Sequence, residues 1–403
     1  MARILFHGGL LFDGTGADPA PADVVIDDER IAHVGAPGTG DGDTSVDLDG
    51  KTLLPGLFDC HVHVTFDVLD VMAAIQEPFS YRFYVAARSL QRTLEAGITS
   101  VRDAAGADAG VRRAVDEGMI PGPRMQIAID MLSQTGGHGD EHFGCGFHIP
   151  LISPSYPGHP MATVDGPEEM RKMVRTLIRE GADVLKVATS GGVLSPLSDP
   201  KRAQLRPSEL EVLVEEATAA GKFVMAHAQA SDGIKNAVRA GIRSIEHGIY
   251  LDDEAIQLML DRGTWLVPTL IAPIWVLESV DAGARLTVAQ VHKARMVVDE
   301  HAASFRRAVE AGVKIAMGTD AGVGPHGDNL RELELMQAGG QSPTEVLRST
   351  TQEAARLLGV DDQRGTVEEG KDADLVVIDG DALAFAGLKD RVEQVWKAGQ
   401  RVV

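Results

Sequence analysis

Cysteine is nearly absent from the 403 residues; only Cys60 and Cys145 occur. Two thiols cannot build a disulfide framework, so a reducing compartment, the cytoplasm, is the expected location. Aromatic residues are scarce as well, at 4%. Positive charge is in deficit, with 38 Lys and Arg against 59 Asp and Glu, a net charge of −21. That balance disfavours nucleic acid and anionic membrane surfaces as partners. Long apolar runs are missing too; none approaches the ~20 residues that a bilayer span requires. Met1 to Leu11 holds a single Arg and a short apolar run broken by His7, Gly8 and Gly9. It reads as a first strand rather than a signal peptide.

What is present is ordinary globular material, 44% hydrophobic and 24% charged, with ample residues for a core. The two ends are rich in strand patterns. Ile4-Leu5-Phe6, a turn at Asp13-Gly14-Thr15-Gly16, and Asp23 through Ile31 read as strand, turn, strand. Ala373 to Ile378 and Val392 to Val403 read as strands near the other end. Residues 1–54 and 361–403 are therefore expected to pair into one small β-sandwich domain, leaving 55–360 as a continuous domain.

That middle alternates apolar runs with helical patterns. The strand candidates are Gly56–Thr65, Thr99–Ala105, Arg124–Leu132, Val184–Ser190, Phe223–Gln229, Ser244–Tyr250, Trp265–Ile271 and Lys314–Asp320. Helical patterns include Glu168–Glu180, Pro207–Ala220, Ser231–Ala240, Asp252–Arg262 and Val288–Ala311. Gly97, Gly181, Gly221, Gly241 and Gly312 stand where a glycine stops a helix before the next strand. Repeated helix–Gly–strand units imply a parallel sheet, and eight strands imply an α/β fold of the (β/α)8 TIM-barrel type. An open doubly wound sheet satisfies the same periodicity.

The chemistry sits at the ends of these strands. In His61-Val62-His63, alternation points both imidazoles the same way, a spacing suited to a metal and equally found on structural strands. Their place at the C-terminal end of a barrel strand favours the metal, because that end carries barrel active sites. Lys186 lies inside the apolar run Val184–Ala188, where a charged amine must snorkel, lose its proton or be modified. His227, His247 and Asp320 end three further strands. Any one of them has a plain structural explanation; together they do not.

The order His61-x-His63, Lys186, His227, His247, Asp320 resembles the amidohydrolase superfamily, in its binuclear-metal form with a carboxylated lysine. Leu54-Pro55-Gly56-Leu57-Phe58-Asp59, Gly318-Thr319-Asp320 and Gly365 through Leu375 belong to the same resemblance, which spans nearly the whole chain. It implies two divalent metal ions, with zinc first and manganese, cobalt or iron compatible with the same donors. It also implies a CO2-derived carbamate on Lys186 bridging them. His61, His63 and Asp320 would then hold one metal, and His227 and His247 the other, with a hydroxide between. Asp320 would move the proton from water to the leaving amine. The reaction implied is hydrolysis of a C–N bond.

The loop after the third strand, Ser133 to about Asp165, is long enough to form a pocket or lid. Its Gly136-Gly137-His138 resembles the subgroup of prolidase-like dipeptidases, carboxypeptidases, imidazolonepropionase-like and ochratoxin-amidase-like enzymes, which makes His138 a substrate-binding candidate. His142 and His148 fit solvent-facing positions better. Where several prolidase-like members carry Tyr two residues after the strand-five His, this chain has Gln229. Gln229 can donate a hydrogen bond but has no phenol, so the oxyanion donor stays open. Arg124 starts the third strand at the barrel's structural end, Cys60 faces the core, and Arg202 and Arg206 suit the surface better than a substrate carboxylate. The expected substrate is a small amide: a dipeptide, an N-acyl amino acid or a relative. A cyclic amide, urea or carbamate is the alternative, and an inactive binding protein on the same barrel is disfavoured because all six positions are filled. A homo-oligomer is the expected assembly.

Overall fold

The computed structural model describes residues 3–67, 69–143, 145–149, 154–195 and 197–403. Eight parallel strands run through its centre at Leu57–Val62, Ile98–Asp103, Arg124–Ile127, Val184–Ala188, Phe223–Ala228, Ser244–His247, Trp265–Val267 and Lys314–Ile315. Each falls within or beside an expected strand. Met131–Leu132 continues the third and pairs with the fourth, Met131 opposite Lys186. The last strand lies against the first: Cys60 N–H donates to the Met317 carbonyl at 2.9 Å and Asp320 N–H to the His61 carbonyl at 2.7 Å. This is the TIM-barrel architecture that the strand count predicts.

The helices follow the patterning closely. Ser231–Ala240 and Val288–Ala311 have the expected bounds, and Pro167–Arg179, Pro207–Ala219 and Asp253–Arg262 differ by a residue. Gly241 and Gly312 cap theirs in the left-handed region, at φ 93° and 81°, where a Cβ would be strained. Several expected strands run past the observed ones, the eighth ending at Ile315 rather than Asp320 and the sixth at His247 rather than Tyr250. The seventh strand ends at Val267, and Ile271 opens a helix to Asp281, because that apolar run is buried and carries no period that separates strand from helix. Asp23 to Ile31 is a hairpin, with Asp23–Asp27 and Arg30–Gly35 turning at Asp28 (φ 51°). Asp tolerates that left-handed backbone, so the run contains its own turn.

The terminal segments form two sheets. One orders Arg30–Gly35, Asp23–Asp27, Ile4–His7 and Thr44–Asp47; the other contains Gln400–Arg401, Val392–Lys397, Leu375–Asp379, Lys51–Pro55, Leu10–Leu11 and Ala20–Pro21. Their facing side chains, including Phe6, Ile26, Leu53, Leu375 and Trp396, share one buried cluster. Phe6 meets the Trp396 ring edge-on at 5.2 Å. Lys51–Pro55 leads directly into the first barrel strand, so this second sheet fixes where that strand begins. Arg124 joins the two parts at the barrel's N-terminal end, donating to Asp374 at 3.0 and 3.3 Å. No helix among the described residues is long and apolar enough to cross a membrane. In the expected loop over 133–165, residues 144 and 150–153 lie outside the described residues, as do residues 1 and 2 of the first strand segment.

Candidate active site

The six predicted ligand positions converge at the C-terminal mouth of the barrel. Donor atoms of His61, His247 and Asp320 lie within 4.8 Å of one another. His63 Nε2 is 3.2 Å from Asp320 Oδ1, and Lys186 Nζ is 3.4 Å from His61 Nε2. The His227 ring meets the His247 ring at 4.6 Å. Strand alternation brings in His61 and His63, while Val62 between them is fully buried on the other face. Two positions need more than alternation. His247 and Asp320 adopt left-handed backbone, φ 72° and 65°, at the strand ends. The turn at His247 lets it and its neighbour Glu246 both reach His61, which regular alternation forbids.

Each imidazole has one nitrogen tied to the protein. His61 Nδ1 bonds Glu246 Oε2 at 2.8 Å, His63 Nδ1 bonds the Ala105 carbonyl at 2.9 Å, and His247 Nδ1 bonds Thr269 Oγ1 at 2.7 Å. His227 uses Nε2 instead, toward the Gly191 carbonyl at 3.1 Å. On the other side, His61 Nε2 faces Lys186 Nζ and Asp320 Oδ1, each at 3.4 Å, and His63 Nε2 faces Asp320 Oδ1 at 3.2 Å, so these nitrogens point at the other predicted ligands; tying the first nitrogen is how proteins orient metal-binding histidines. Glu246 is itself held by Arg102, at 3.0 and 3.1 Å, and by Ser244 Oγ at 2.5 Å. Arg102 and Glu246 are fully buried and had no assigned role in the sequence reading. The local signal was faint, because Ile98–Asp103 and Ser244–His247 carry other polar residues as well, although a buried charge demands a partner. Below the cluster, Asp59 accepts from Thr319 Oγ1 at 2.6 Å and Asn329 Nδ2 at 2.8 Å, tying the first strand to the last.

The electrostatics favour neutral imidazoles at His61, His227 and His247 beside one ionised carboxylate. Burial, with Lys186 nearby, drives His61 far below its usual pKa; burial does the same to His227 and His247, each with help from neighbouring imidazoles. Burial also opposes charge on His63, but the Asp320 hydrogen bond outweighs it and raises the pKa. Burial would raise Asp320, yet His61, His63 and Lys186 hold it well below the usual carboxylate range. Burial brings Lys186 down to about 8, against the pull of Glu246 and Asp320. Neutral imidazoles, an ionised carboxylate and a readily deprotonated amine are the forms that coordinate metal.

His138 stacks on His227 with ring centroids 4.0 Å apart. Gly192 provides the space: a Cβ there would lie 2.3 Å from the His138 ring. His138 Nδ1 and Gln229 Oε1 are buried without a hydrogen-bond partner among the described residues, and both residues line the cavity above the cluster. His142, His148, Arg202 and Arg206 are exposed, and none lines that cavity. Cys60 is buried with Phe58, Trp265 and Val267 on the face away from the ligands. Two residues from the helix Val288–Ala311 also matter. His301 Nε2 meets the His247 carbonyl at 2.9 Å, and Lys293 Nζ donates to the carbonyls of Gly192, Ser195 and Ser198 at 3.0, 2.7 and 3.0 Å. Lys293 thereby holds the segment that carries Gly191 and Gly192 against His227 and His138.

A barrel with this constellation at its mouth defines a class of metal-dependent hydrolase. The Amidohydrolase family profile matches residues 52–402. An ochratoxinase of Aspergillus niger is 34% identical over 425 aligned positions, covering 98% of this chain and 86% of that protein. Among solved structures, a prolidase complexed with N-methylphosphonate-L-proline has a TM-score of 0.92 at 35% identity, covering 99% of both chains. A Xaa-Pro dipeptidase with methionine bound in its active site has a TM-score of 0.90 at 32% identity, again covering 99% of both. The chain belongs to the amidohydrolase family. It is an enzyme that hydrolyses carbon–nitrogen bonds of the amide or peptide kind.

Proposed function

We propose that this enzyme cleaves the amide bond of a small N-acylated substrate, a dipeptide or N-acyl amide being the nearest type, at a centre for two divalent metals. The observation that carries the reading is the convergence of His61, His247 and Asp320 within 4.8 Å, with Lys186 Nζ 3.4 Å from His61 Nε2. His61, His63, Lys186, His227, His247 and Asp320 would hold the metals, and zinc suits their nitrogen and oxygen donors. Bound there, the metals would supply an activated water and polarise the scissile carbonyl.

The side chains divide the remaining work. Asp320 is placed to accept the proton of the attacking water and return it to the leaving nitrogen. His138 and Gln229, which line the cavity and each carry a buried atom without a partner among the described residues, would orient the substrate carbonyl and amide. Lys186 is assigned a carbamate: its neutral amine adds to CO2, an N–C bond forms, and one proton leaves. The product is an anionic ligand that answers the problem of a lysine buried among metal donors. The similarity to an ochratoxinase, a Xaa-Pro dipeptidase and a prolidase supports the amide class. The two free cysteines and the acidic surface support a cytoplasmic, small-molecule role. A panel of N-acyl amines and dipeptides, assayed on metal-replete protein with metal content measured in parallel, tests the reading. Turnover should scale with metal up to two equivalents; turnover by metal-free protein would overturn it.

A further inference from the structure

One face of the helix Val288–Ala311 carries polar side chains where an apolar stripe would be ordinary. Gln290, Lys293, Val297, His301 and Ser304 follow one another by three or four positions, so they share a side. All but the half-buried Lys293 are buried. Their polar atoms go to the backbone of two loops. Gln290 Nε2 donates to the Leu194 carbonyl at 2.6 Å, beside the carbonyls that Lys293 holds after the fourth barrel strand. Further along the helix, His301 Nε2 donates to the His247 carbonyl at 2.9 Å. Ser304 Oγ donates to the Gly248 carbonyl at 2.7 Å and accepts the Leu251 N–H at 3.2 Å. Arg307 donates to the Leu251 carbonyl at 3.0 Å. A carbonyl can only accept, so Nε2 of His301 carries the ring proton.

The second group of bonds falls where the backbone needs it. His247 and Gly248 are both left-handed, at φ 72° and 63°. A residue with a Cβ stays in that region only where its surroundings over-determine it. Thr269 Oγ1 holds the His247 ring at 2.7 Å, and His301 and Ser304 hold the two carbonyls of the turn. Rotation of the peptide that follows His247 would swing its ring out of the group it forms with His61 and Asp320. His301 is buried and also lines the cavity, so it stands between the helix and the site.

We infer that His301 is a positioning residue for the metal centre. By holding the His247 carbonyl it keeps the left-handed turn that presents the His247 ring to His61 and Asp320, and Ser304 secures the next carbonyl. One helix face thereby serves both sides of the site, the segment beside His138 through Gln290 and Lys293, and the ligand turn through His301 and Ser304. This rests on the metal-centre reading above.

Two variants at one position separate the hydrogen bond from the packing: His301→Leu removes the donor, and His301→Gln keeps an N–H near the place of Nε2. Zinc affinity, measured by competition with a chelator, should fall about tenfold or more in H301L and stay within about threefold of wild type in H301Q. Ser304→Ala is a smaller lesion, for use where H301L does not fold, and should weaken zinc by about two- to tenfold, the worth of one hydrogen bond. In metal-free protein, hydrogen exchange over residues 244–252 should be faster in H301L than in H301Q. Wild-type affinity in H301L, or in Ser304→Ala where that variant stands in for it, would overturn the proposal. Equal losses in H301L and H301Q would do the same, because the ring would then be filler. Wild-type protein that takes up no zinc rejects the metal-centre reading itself. The exchange comparison then decides the hold on the turn, faster exchange in H301L supporting it and equal exchange rejecting it.

Discussion

The two ends of the barrel both bury charge, and they do it in opposite ways. At the N-terminal end Arg124 and Ala398 N–H meet Asp374, while Arg30 and Arg364 meet Asp372 at 2.7 and 3.0 Å. Both oxygens of Asp374 and of Asp372 have donors there, while Arg364 Nε is buried without a partner among the described residues. At the C-terminal end four imidazoles, Lys186 and Asp320 crowd together, each ring tied through one nitrogen, and the second nitrogens of His61 and His63 face Asp320. The first arrangement welds the barrel to the terminal sheets. The second gathers the predicted metal ligands. Buried polar groups signal stability when opposite charges answer one another, and function when several metal donors converge.

Substitutions at the two ends should therefore separate activity from stability. The largest effects belong to the mouth. Asp320→Asn should lower kcat by about 10²- to 10⁴-fold, the span attributed to a positioned acid–base group, with an unchanged circular dichroism spectrum. A wild-type rate would remove Asp320 from the proton path. Lys186→Ala should lose both bound metal and turnover, read by metal analysis beside the assay. Two retained metals with full activity would exclude the carbamate.

Support one step out should weigh less. Glu246→Gln breaks the ionic hold on His61 and should weaken metal affinity by about 10- to 100-fold, measured by competition with a chelator. Unaltered affinity would show that Arg102 and Glu246 only pack. At the opposite end, Arg124→Met should cost about 2 kcal/mol in a urea titration because it strands the buried Asp374, while kcat stays at the wild-type value. A drop in kcat would mean that the two ends are coupled. Lys293→Met should have the smallest effect, lowering kcat/KM by up to about tenfold through displacement of Gly191 and Gly192. Unchanged kinetics together with a lowered Tm would reduce Lys293 to a structural tie.

Much of this site was legible beforehand because barrel strands impose period two and end at one face. His61 and His63 follow from that alone, and Lys186, His227, His247 and Asp320 stand out as polar residues closing apolar runs. Glu246 escaped notice for a physical reason: alternation with His247 would send it to the opposite face, and only the left-handed residue at φ 72° brings both inward. Arg102 was hidden likewise, because its partners Glu246 and Ser244 lie more than 140 positions away.

Periodicity and glycine stops were local properties, so the sequence by itself determined eight strands, their helices and the residues that end them. It also determined the overall deficit of cationic charge. Tertiary structure alone decided which nitrogen of each imidazole is tied to the protein, that Lys293 holds the segment beneath His138 and His227, and that apolar side chains line the cavity above the histidine cluster. Those facts depend on contacts between distant segments and on single backbone angles. No local pattern encodes them, because the energy that selects them comes from packing and hydrogen bonding between elements.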